Sequence, residues 1–137
     1  MRIVVSGIAL LVATALGVFA WNTLIPSKVG VGRFNHWYGT NLATRQIYYE
    51  ENGFVDSEFY ASIPMTQQEF NDTIEAIGMQ KSSSRSRELA NNGPWWFEEP
   101  KSTVFILNRT RDQYHRDYIE GHYVPKKARG YFRYFDT

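Results

Sequence analysis

Residues 57–78, SEFYASIPMTQQEFNDTIEAIG, decide the fold, because a strand period and a helix period meet there across a single proline. Over residues 57–63 the period is two. Phe59, Ala61 and Ile63 face one side, and Glu58, Tyr60 and Ser62 the other. Beyond Pro64 the pattern changes. Thr66-Gln67-Gln68-Glu69 is a capping box: the Thr66 hydroxyl accepts from the Glu69 backbone N–H, and the Glu69 carboxylate accepts from the Thr66 N–H. Met65 and Phe70 have the spacing of a hydrophobic staple. Phe70, Ile74 and Ile77 mark one helical face, and Gly78 supplies the stop. The spacing predicts a helix from Gln67 to about Ile77, lying on a sheet that contains residues 57–63.

The flanking sequence supplies the rest of that sheet. Arg45-Gln46-Ile47-Tyr48-Tyr49-Glu50 is rich in strand formers and ends at Asn52-Gly53, so it reads as a strand joined by a turn to the next. Thr103 to Leu107 (TVFIL) is the most apolar run of the domain and reads as a central strand. Tyr131 to Phe135 (YFRYF) reads as the last strand, with a short one at His122 to Val124. Arg109 to Glu120 is charged and reads as helix or loop. Lys81 to Asn92 (KSSSRSRELANN) is polar, Ser-rich and without an apolar period, so it reads as a surface loop. The order suits an α+β fold, a small antiparallel sheet with one helix packed on one face.

Ahead of this domain, Ile3 to Ala20 (IVVSGIALLVATALGVFA) carries no charge. Two readings compete. A secretory signal peptide needs a basic start and a small-residue cleavage site, which Arg2 and Val18-Phe19-Ala20 provide. A membrane anchor needs about 17–25 apolar residues, and the run from Ile3 to Trp21 meets that. In the anchor reading Arg2 and Trp21 mark the two membrane interfaces, and a short N-terminal tail before a whole domain places that domain outside the cytoplasm. A buried core helix would show a polar stripe, whereas this segment has only Ser6 and Thr14. The chain therefore divides into a signal-anchor at residues 1–25, a linker at 26–40 and an α+β domain at 41–137. Val29, Val31, Phe34 and Trp37 in the linker are apolar enough to tuck onto the domain.

Charge and composition narrow the chemistry. Apart from Arg2 there are 14 Lys and Arg against 14 Asp and Glu, so no net field draws the domain to nucleic acid, and no nucleic-acid partner is expected. The absence of cysteine removes disulfides, thiolate metal sites and thiol nucleophiles. No nucleophile elbow, phosphate-binding loop or zinc-protease helix occurs, and no cofactor is implied. His115 and His122, with Asp112, Asp117 and Glu120 nearby, are the candidate metal ligands, although Gly121 interrupts any helix that would align them. The adjacent pairs Glu50-Glu51 and Glu98-Glu99 are poor acid/base couples, since neighbouring side chains on a strand diverge. Trp95-Trp96-Phe97 is either core cover or an exposed anchor for a partner, because Trp and Tyr dominate interface hot spots.

Some of these elements recur together. Ile47-Tyr48-Tyr49, Asp56-Ser57-Glu58-Phe59-Tyr60 with Ile63-Pro64, Thr66 to Gly78, Trp95-Trp96 with Pro100, and Ala128-Arg129-Gly130-Tyr131-Phe132 follow one another in a set layout. Over Leu42 to Phe135 that layout resembles small bacterial lipoproteins and membrane-anchored proteins of unknown function. The resemblance implies a fold and a location and lends no activity. Lipoproteins of this kind carry a lipidated cysteine and this chain has none, so the hydrophobic helix would take over the anchoring. Two functions are then in view. One is a membrane-tethered extracytoplasmic interaction domain, held through residues 3–20 and binding a protein or envelope component. The other is a small secreted or periplasmic hydrolase or metal-dependent enzyme.

Overall fold

The computed structural model describes residues 2–24, 26–52, 58–83, 93–101, 103–110 and 116–136. An N-terminal helix, α1 (Arg2–Leu24), precedes a short strand β1 (Lys28–Gly30) and a two-turn helix α2 (Gly32–Tyr38). Then come β2 (Gln46–Asn52), β3 (Glu58–Pro64), α3 (Gln67–Ile77), β4 (Gln80–Ser82), β5 (Val104–Thr110), β6 (Arg116–Val124) and β7 (Arg129–Asp136). Among the described residues the strands form one seven-stranded sheet, β1-β2-β3-β7-β6-β5-β4, with every neighbouring pair antiparallel. The α+β class is as the sequence predicts, with two helices, not one, associated with the sheet's main core.

Helix α3 begins at the capping box. The Glu69 N–H donates to Thr66 Oγ1 at 3.1 Å, and the Thr66 N–H donates to Glu69 Oε2 at 2.8 Å. Gly78 closes it in the left-handed region at φ 81°, which an L side chain enters at a cost of about 1–2 kcal/mol. Phe70, Ile74 and Ile77 are buried against the sheet with Met65 beneath them. Arg45 fastens the helix start to β3: its guanidinium donates to the Pro64 carbonyl at 2.7 Å and to Glu69 Oε1 at 2.6 Å.

Four segments differ from their sequence-based reading. Residues 26–40 are no linker. They supply β1, which pairs with β2 through Val29 and Ile47, and α2, whose Phe34 is fully buried against Tyr38 and Phe132. The apolar residues noted there outweigh the three glycines that suggested a loose chain. TVFIL is also not central. The central strand is β7, flanked by β3 and β6, because both its faces are covered, whereas β5 is exposed over Asn108 to Thr110. Arg109 and Thr110 end β5 and Arg116 to Glu120 begin β6, paired from Thr110 and Arg116 upward, while residues 111–115 lie outside the described residues. The charges here misled because Arg109 and Arg116 sit exposed at strand ends, while Asp117 and Glu120 are buried within the sheet. The Ser-rich stretch contributes Lys81 and Ser82 to edge strand β4, and residues 84–92 lie outside the described residues.

The first segment is a single 23-residue helix. Its described side chains are those of Gly7 and residues 10–20, and from Leu10 to Phe19 they are all exposed, so the domain does not bury them. The Thr14 hydroxyl donates back to the Leu10 carbonyl at 2.8 Å. Among the described residues no helix is long and apolar enough to cross a membrane. The side chains of Arg2 and Trp21 lie outside the described residues.

Candidate functional site

Strand alternation gives the sheet two unlike faces. One carries Phe59, Ile63, Ile119 and Phe132 toward α2 and α3. The other carries Tyr48, Tyr60, Ser62, His122, Tyr131 and Arg133, aligned across four strands by the register of β2, β3, β7 and β6. Residues 93–101 lie over this second face and split the predicted aromatic trio. Trp96 (9% exposed) and Phe97 are buried, while Trp95 is 66% exposed. Phe97 meets Tyr60 and Tyr131 edge-on at 5.1 and 5.6 Å, and Trp96 lies 5.8 Å from Tyr48. Gly93 lets the backbone approach, since a Cβ there would sit 2.8 Å from the Tyr60 ring.

Beneath that cover is a charged layer. Arg133 is fully buried, donates to Glu99 Oε1 at 2.9 Å, and places its guanidinium 4.9 Å from the Tyr60 ring centre and 5.3 Å from that of Phe97. Its cross-strand neighbour in β6 is Glu120, also buried. Tyr60 donates its hydroxyl to Glu58. Burial, followed by that bond, raises the Tyr60 phenol well above its usual range, so it stays a donor at any physiological pH.

Beside this layer opens a groove of about 840 Å³, walled by Pro26, Tyr48, Trp95, Trp96, Lys127 and Arg129, with Glu98, Glu99 and Lys101 along it. Arg129 is held rigidly, donating through Nε and an Nη to Ser62 Oγ and O, both at 2.7 Å, with its guanidinium 4.7 Å from the Tyr48 ring centre. Lys28 approaches the same ring at 5.8 Å. Ala128 adopts a left-handed conformation at φ 48° between Lys127 and Arg129, at the end of the turn that delivers both to the groove. The two adjacent glutamates lie in a loop, not a strand, and both line the groove, where Glu98 pairs with Lys127 at 2.5 Å and Glu99 with Arg133. The arrangement suits binding, with aromatic walls for apolar or ring contacts and fixed cations for an anion.

Of the sequence-predicted residues, Trp95, Trp96 and Phe97 all line the groove. His122 does not. It is buried, stacked on Tyr131 at 5.2 Å and edge-on to Phe97 at 5.8 Å. His115 lies outside the described residues, and among the described residues no group of three or more His, Asp or Glu is placed to hold a metal ion. Sequence reasoning missed Tyr48 and the buried Arg133. The signal for Arg133 was a lone charge in the middle of YFRYF. Compared with protein-family models, with curated proteins and with solved structures, the chain matches none, so the resemblance noted above rests on layout alone.

Proposed function

We propose that this protein is a membrane-tethered interaction domain facing away from the cytoplasm, in which α1 is a retained anchor and the Trp95 groove receives a protein or envelope component. The observation that carries the reading is the unshared apolar surface of α1. Leu10, Leu11, Val12, Leu16, Val18 and Phe19 are all more than half exposed, so another phase or partner must cover them. A helix of 23 residues is about 34 Å long, comparable with a hydrocarbon core of about 30 Å, although no helix among the described residues is both long and apolar enough to cross one. Its uncharged run extends from Ile3 to Ala20 and beyond, and the Thr14 hydroxyl is satisfied within the helix, as a hydroxyl in lipid must be. Arg2, the basic residue directly before that run, favours the N-inside orientation.

The enzyme alternative requires His122 and its acidic neighbours to converge where substrate can reach them, and His122 sits beneath Phe97 away from the groove. A photo-reactive amino acid at position 95 of the full-length protein in intact cells tests the interaction reading. Crosslinks at position 95 and none at Glu75, on the exposed face of α3, are expected. Equal labelling at both positions would remove the groove from consideration.

A further inference from the structure

We propose that the Trp95 groove docks on the anionic headgroup layer of the same membrane that holds α1, with Trp95 in the interface and Lys101 and Arg129 against lipid phosphates. This rests on the tether reading of α1 and goes further by assigning the groove its partner.

Chain length brings the groove to the membrane. Helix α1 ends at Leu24 and β1 begins at Lys28, so four residue steps, at most about 14 Å, separate them. Pro26, midway along that connection, is itself part of the groove wall. The headgroup layer on each side of a bilayer is about 5–8 Å thick. With α1 spanning the core, the wall that contains Pro26 lies at or just above that layer, and the rest of the groove lies next to it.

The chemistry of the wall matches that position. Trp95 exposes an indole ring at the rim, and Trp is enriched where an apolar ring and a polar edge are both satisfied at a membrane interface. Both groove acids are already neutralised, Glu98 by Lys127 and Glu99 by the buried Arg133. Among the described residues Lys101 has no ion pair, and Arg129, fixed by Ser62 and Tyr48, has no carboxylate against it. On the other side of the sheet α3 carries Glu69, Asp72 and Glu75 and no Lys or Arg. Glu69 is held by Arg45, so among the described residues Asp72 and Glu75 are the acids of α3 without an ion pair, whereas Lys101 and Arg129 stand at the groove. An anionic surface orients such a domain groove-down, because each basic residue near it is attracted and the acids are turned away.

The absence of cysteine makes single-site labelling clean. The full chain is reconstituted into vesicles of equal parts phosphatidylcholine and phosphatidylglycerol, and separately into phosphatidylcholine alone. A nitroxide is placed in turn at Trp95→Cys, Lys126→Cys, Leu11→Cys and Glu75→Cys. Lys126→Cys keeps Trp95 intact and reports from the exposed turn beside Lys127. In anionic vesicles, labels at 95 and 126 should be shielded from a water-soluble nickel chelate, and the label at 75 should be fully accessible. Lys101→Gln should shift the shielded-to-accessible ratio at position 126 about fivefold toward accessible. If labels at 95 and 126 are as accessible as the label at 75 while that at 11 is immersed, docking is wrong and the tether stands. If the label at 11 is in water, the tether fails and docking with it. Equal shielding in phosphatidylcholine alone, or shielding by soluble glycerophosphoglycerol without vesicles, would overturn the assignment to an anionic surface.

Discussion

Arg133 lies in the central strand with no exposure, held between Glu99, the cross-strand Glu120 and the rings of Tyr60 and Phe97. A buried ion pair adds little net stability when intact, but removing one partner leaves a desolvated charge behind. Arg133→Leu should therefore lower unfolding free energy by about 3–5 kcal/mol, much of what a domain of this size possesses, as measured by urea denaturation. The adjacent tryptophans separate just as sharply. Trp96→Ala removes a buried ring beside Tyr48 and should cost about 3–5 kcal/mol, whereas Trp95→Ala should stay within about 0.5 kcal/mol of wild type. Comparable losses in both variants would make Trp95 part of the core and not of a binding surface. None of this discrimination is available from WWF as a string. Which ring turns inward depends on Gly93 approaching Tyr60, a contact between residues more than thirty positions apart.

At the level of elements, α3 was the most legible part of the chain because its signals are local. Cap, staple, apolar face and stop all fall within fourteen residues, and each appears as read. Arg45 adds what the local pattern lacked. Its hydrogen bond to Glu69, with the Thr66 N–H next in weight, lowers the Glu69 carboxyl from about 4.5 to about 2. A carboxyl whose folded pKa lies below its unfolded value contributes stability above the unfolded pKa and loses it as pH falls through the folded one. Wild type should therefore lose stability between about pH 4.5 and pH 2 more steeply than Glu69→Gln, as followed by circular dichroism during acid titration. Parallel curves would mean that Glu69 has no pairing beyond solvent. The strands were legible in a different measure. Alternation identified β3 and strand-forming composition β2, but sheet order is set by long-range pairing, so the most apolar run was placed at the centre when it belongs one strand from the edge. β1 and α2 were hidden by glycines that permit turns without requiring a loose chain.

Across the whole molecule, two surfaces are unlike the rest: the exposed apolar length of α1 and the aromatic, cationic groove that begins at Pro26. The hydrophobic segment was plain in the sequence, as was the aromatic trio. Their proximity was not, because Tyr48, Lys127 and Arg129 reach the groove from distant strands and turns. Both surfaces make sense together if one membrane serves both, and that depends on α1 being kept. Mass spectrometry of the N-terminus of the full-length protein, recovered from membranes washed with alkaline carbonate, decides this. A protein that remains in the pellet with residues 2–24 intact is the predicted result. A mature N-terminus at Trp21, with the domain in the wash, would contradict it.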